Sequence, residues 1–169
     1  MQAGGRQGTE RGDSLAGLGT ASIVVVQLMR LWLQAPDGSS RRGLGWRDGC
    51  RAAHLGDAGE GALAALMAAF AAGLADDLRV AAPTCPWIAP DEALMLHALA
   101  LVQARRHAEA DRALALRLPP AALRLALPAA VGLAVALEAG SLRVALRATG
   151  RSAPVARGAL SDRGLALLQ

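Results

Sequence analysis

The stretch APTCPWIAPDEALML, residues 82–96, decides how this chain is read. Pro83, Pro86 and Pro90 each lack an N–H, and each pushes the residue before it out of helical geometry, so no helix crosses the segment. Pro90 suits a first helical position. Asp91 and Glu92 then fall in a first turn, where the positive end of a helix favours carboxylates. On this reading the segment is punctuation: one helix ends before it, and another runs from Pro90 to about Arg106. Leu78–Ala82 forms a short extended lead-in, and Trp87 and Ile88 plug the start of the new helix. The competing reading makes Cys85 a working thiol.

Working outward, the same alternation of helix and breaker covers the middle of the chain. On the N-terminal side, Leu63, Leu66, Met67, Phe70 and Leu74 recur at three- and four-residue steps, one apolar stripe on a helix over 58–75. Asp57 and Glu60 sit at its positive end. On the C-terminal side, 90–106 is apolar nearly all round, which places it centrally. A shorter helix over 107–116 stops at Pro119-Pro120, and another spans 121–139, kinked at Pro128, with Gly140 just past its end. Ser22 caps a first helix to Gln34, though the valines at 24–26 leave a strand open there. A weaker helix over 46–55 carries Gly49. The expectation is an all-α domain, a single bundle of five or six helices over 21–140. Residues 1–20 are expected to be disordered and 141–169 to be a loosely ordered basic tail, with a marginal strand or an appended helix near 142–147.

Composition agrees with that class. The chain has 169 residues and is 53% apolar, mostly Ala and Leu, both strong helix formers. The net charge is +4, and every basic residue is arginine, while Lys, Asn and Tyr are absent. Arginine serves bidentate phosphate contacts, so a nucleic-acid surface through Arg41, Arg42, Arg47, Arg51 and the tail is one reading. A GC-rich coding sequence produces the same bias, and no helix face gathers the arginines, so nucleic acid ranks last among the partners. Trp32, Trp46 and Trp87 are dispersed and offer no stacking platform. Two cysteines, with no secretion-like N-terminus, point to a reduced cytoplasmic setting. The apolar runs 62–75 and 125–137 fall short of the ~20 residues of a membrane span. The Arg-Gly-Asp at 11–13 is read as chance.

Few residues suggest chemistry. Cys50 and His54 share a face if 46–55 is helical, and with Cys85 they would offer zinc three soft ligands. The plainer reading is a buried cysteine, a surface histidine and a loop cysteine. Cys85 precedes a helix N-terminus, a setting that lowers a thiol pKa, yet Ile88 stands where a resolving cysteine belongs. Asp76-Asp77 and Asp91-Glu92 are adjacent pairs, which point apart on a helix and read as helix boundaries. Gly43-Leu44-Gly45-Trp46-Arg47-Asp48 misses the third glycine of a dinucleotide loop, and no Walker lysine exists. His97, in the apolar helix, is read as a core residue bonded to a backbone carbonyl.

From Leu63 to Gly140, an Ala/Leu-rich helix, then Ala82-Pro83-x-Cys85-Pro86, Asp91-Glu92-Ala93, an apolar helix and an acidic Ala-rich turn follow in order. In this the chain resembles an uncharacterised family of small helical bacterial proteins of unknown function. The resemblance implies a helical fold and brings no activity or site residue. Gln103 to Ala110 is similar to the inter-helix turn of a tetratricopeptide repeat. That unit needs ~34 residues and further copies, which this chain lacks, so the likeness implies a helical hairpin alone. The expected role is a non-catalytic interaction or structural module, self-associating or binding a protein partner, with no catalytic residue and no cofactor. The alternative is a thiol- or zinc-dependent regulator or enzyme using Cys50, His54 and Cys85.

Overall fold

A computed structural model of the chain describes residues 13–39 and 45–146. Among them six helices form and no strand does: α1 Thr20–Gln34, α2 Trp46–Ala52, α3 Gly56–Leu74, α4 Pro90–Gln103, α5 His107–Ala115 and α6 Pro120–Ala139. The fold is all-α. Residues 1–12 and 147–169, and with them the expected disorder of the first and the basic tail of the second, lie outside the described residues, as do Arg41 and Arg42.

Helix α4 is the centre. It packs on α1, α5 and α6, and every residue from Ala98 to Gln103 is buried, as an all-round apolar helix requires. Helices α3 and α6, the two longest, pack most extensively against each other. They run antiparallel and close. A Cβ added at Gly59 would fall 2.8 Å from the Ala136 Cβ, and one added at Gly73 would fall 2.6 Å from that of Ala122. Glycine is needed at both places because the helix backbones leave no room for a methyl group. The stripe foreseen on α3 is the core face, with Leu63, Leu66, Met67 and Phe70 buried.

Boundaries differ from the sequence expectation in instructive ways. The valines of α1 are helical, and their helix starts at Thr20 with Ser22 buried inside it rather than capping it. Residues 13–20 are ordered: Ser14 pairs with Trp87 in an antiparallel bridge, and Leu15 and Leu18 pack on the core. Helices α2 and α4 stop earlier than expected, each ended by a non-glycine residue in the left-handed region, His54 (φ 55°) and Arg105 (φ 63°). The bonds Leu55 N–H to Cys50 O and Arg106 N–H to Leu101 O, 3.0 and 2.9 Å, close these ends in the manner of a Schellman motif. Past α6 the left-handed residue is Ser141 (φ 59°), not Gly140. Gly140 instead lies where a Cβ would sit 3.1 Å from Ala53 O. Helix α6 continues through Pro128.

The apolar helices also proved longer than the apolar runs suggested. Helix α3 has 19 residues and α6 has 20, and by length and composition alone both are of the kind that can cross a membrane. In the fold each turns one side to the core and another to its neighbour.

Candidate functional site

Among the described residues, a dense set of long-range hydrogen bonds holds the proline-rich crossover, and Arg30 is at its centre. It is the only charged residue of α1, and it lies 1% exposed on the buried face. Its guanidinium grips Glu92 with Nε to Oε1 at 2.7 Å and Nη2 to Oε2 at 2.9 Å. Nη1 donates to the Cys85 carbonyl and Nη2 also to that of Trp87, both at 2.7 Å. A buried guanidinium survives only if its donors are matched by charge and hydrogen bonds, and the Glu92 partnership holds its pKa above the ordinary arginine value. Glu92 in turn accepts from Ala81 N at 3.1 Å and Ala89 N at 2.7 Å. The second of these is the reach-back half of a capping box.

Asp91 repeats the pattern beside it. Its carboxylate, buried, accepts from Arg79 N at 2.7 Å and from Arg117 Nε at 3.0 Å. Arg117 also binds Asp77 at 2.8 Å, which lowers the Asp77 pKa. Two adjacent carboxylates at the start of α4 thus tie down both the lead-in 79–81 and the crossover 85–89. A carboxylate has about four acceptor positions, and Glu92 uses four donors, so none of its capacity is left for a substrate. The pair was foreseen as a first turn only; its burial and its long-range partners were not. A lone arginine in an otherwise uncharged apolar helix was the available signal.

The other candidates do not converge. Cys50 is buried on α2, and burial pushes its thiol up to about 11, with Glu60 adding to the effect; a thiol in that state is a poor nucleophile and metal ligand. Because α2 ends at Ala52, His54 is not on a helix face with Cys50; it is exposed at the left-handed position. Cys85 is half-buried and contributes its backbone carbonyl to Arg30. Among the described residues no group of three or more His, Cys, Asp or Glu side chains is placed to hold a metal ion. His97 Nδ1 is enclosed without a hydrogen-bond partner, so the carbonyl bond expected of it is not made by that nitrogen. Trp87, expected as a plug, is 48% exposed, while Ile88 beside it is buried: Arg30 and the Ser14 bridge hold the Trp87 backbone and leave its ring outside. The described part of the basic patch is spent locally. Arg47 pairs with Glu60 at 2.8 Å and lies over the Trp46 ring, and Arg51 pairs with Asp48.

What remains is a surface. On α3 the exposed positions Ala58, Gly61, Ala65, Ala68 and Ala72 recur at three and four residues. On α6 the exposed positions include Ala121, Arg124, Leu125, Pro128, Val135 and Ala139, with Gly132 half-buried among them. Leu125 is 66% and Val135 52% exposed. On each helix the side facing the other lies between the core side and this outward stripe. An antiparallel pair with its core on one side therefore joins both stripes into one surface opposite the core. Its charged residues are confined to its margins: Asp57 at one end, and Arg124, between Ala121 and Leu125, at the other. Comparison with protein family models, curated proteins and solved structures finds no match.

Proposed function

We propose that this chain is a non-catalytic helical interaction module whose working surface is the outward face of α3 and α6, and that it associates with itself. The observation carrying this is the largely apolar face, with charge only at its margins. At 1.5 Å per residue and 8–10 Å between helix axes, two helices of this length make a face of about 28 by 18 Å, roughly 500 Å². That lies at the upper end of the apolar patches that monomers display, where interaction sites are concentrated. The polar chemistry points the same way, since the Glu92 carboxylate is saturated by the fold it stabilises and that of Asp91 is taken up by Arg79 and Arg117. Sedimentation velocity of the purified full-length chain over a range of concentrations tests the self-association. A sedimentation coefficient that rises with concentration supports it, and a monomer at every concentration sinks it.

A further inference from the structure

Resting on that self-association, we infer that the partner on the α3/α6 face is a second copy docked about a two-fold axis parallel to the helices, with α3 of each copy lying over α6 of the other. The register follows from the contacts between α3 and α6 within one copy. Gly59 is level with Ala136, Ala62 with Gly132, and Gly73 with Ala122. At 1.5 Å per residue, Leu125 is then level with position 70 of α3, and Val135 with position 60. A two-fold axis along the helices preserves these levels. Leu125 of the second copy enters the gap between Ala68 and Ala72, and its Val135 enters the gap between Ala58 and Gly61. The two large side chains that stand out of the face thus meet the small residues of α3, as knobs meet holes, twice by symmetry. A two-fold axis across the helices and centred on the face would instead lay α6 over α6 and set Leu125 against Val135, knob on knob.

Charge agrees with this register. Arg124, exposed and in no ion pair among the described residues, would come beside the last turn of α3 of the other copy, at the negative end of that helix. The composition of the face favours protein over lipid. Interfacial lipid-binding helices carry basic flanks and bulky apolar side chains, whereas α3 presents alanine and glycine with acidic Asp57 and Glu60 in its first turns. At roughly 500–600 Å² per copy, the interface lies at the lower limit of specific ones, so the dimer is weak and concentration-dependent.

The test uses the full-length chain by sedimentation equilibrium at about 1 to about 300 µM, the range a weak interface requires. Leu125→Arg, at an exposed position and with folding checked by circular dichroism, should raise the dimer dissociation constant at least ~100-fold, because each copy would bury an unpaired charge. In a Cys85→Ser background, a mixture of Ala68→Cys and Leu125→Cys chains oxidised with copper phenanthroline should give the mixed disulfide dimer. A dimer that survives both Leu125→Arg and Val135→Asp, or a disulfide between Leu125→Cys and Val135→Cys chains in place of the 68–125 pair, overturns this docking and leaves self-association standing. A wild-type chain that stays monomeric overturns both. If that monomer also floats with phosphatidylcholine–phosphatidylglycerol vesicles, the face is a bilayer contact instead.

Discussion

Replacing Arg30 with methionine removes the guanidinium and keeps most of the side-chain volume. The Glu92 carboxylate, fully buried, then loses its counter-charge while keeping only the Ala81 and Ala89 amides, and the Cys85 and Trp87 carbonyls lose their donors. Breaking a buried pair from one side costs about 3–5 kcal/mol. Each carbonyl left short of a donor adds on the order of 1 kcal/mol, less where water can reach it. A loss of about 4–6 kcal/mol is therefore expected, out of the 5–15 kcal/mol typical of a whole domain. The double variant Arg30→Met/Glu92→Leu removes both charges and should recover part of the loss, so the two changes are strongly non-additive. Recovery is incomplete because the Ala81 and Ala89 amides lose their acceptor. Urea unfolding followed by circular dichroism reads all three variants from the midpoint and slope. Labelling of Cys85 by a thiol reagent reads the crossover locally and should accelerate in the single variant. A single variant costing under about 1 kcal/mol, or costs that simply add, would refute the account of Arg30 as the clamp on the crossover.

Gly73→Ala should destabilise by about 1–3 kcal/mol, although alanine is the better helix former, because its methyl would sit 2.6 Å from the Ala122 Cβ; thermal unfolding measures it. Gln103 donates to Leu142 O at 3.0 Å and accepts from Val144 N at 2.8 Å. Gln103→Leu should therefore release the segment after α6, seen as faster tryptic cleavage at Arg143 with α1–α6 intact. Cys50 titrates in the unfolded chain at the ordinary thiol value and in the folded one at about 11. The protonated thiol persists only in the folded state across that window, so stability is full below about pH 9 and declines to pH 11, by on the order of 2 kcal/mol. Cys50→Ala should flatten that decline in urea midpoints measured across the window. Ser141→Gly removes a side chain from a left-handed position and should stabilise by about 0.5–1 kcal/mol, read as a raised melting temperature.

Much of the helical framework was legible in the chain because the signals are local. Prolines at 83, 86 and 119 keep helices from crossing them, Pro90 and Pro120 open α4 and α6 as first helical residues, and the periodic apolar residues of α3 mark its core face whatever packs there. The all-round apolar run of α4 placed it at the centre for the same reason. Helix ends at His54, Arg105 and Ser141 were missed since each depends on a left-handed residue that is not glycine, a conformation that neighbouring packing imposes. The candidate site was scarcely legible. Cys50, His54 and Cys85 drew notice by residue type, yet the bonds that organise the crossover run from Arg30 across 62 residues to Glu92, and no spacing rule reaches that far. The sequence by itself determined which segments are helical and which face of α3 is buried, because periodicity and missing amides act within a few residues. Only the tertiary structure decided that α3 and α6 lie side by side with one apolar face outward, and that a lone arginine is clamped inside. Both depend on which surfaces meet, a matter of long-range packing and of where buried charge finds its partner.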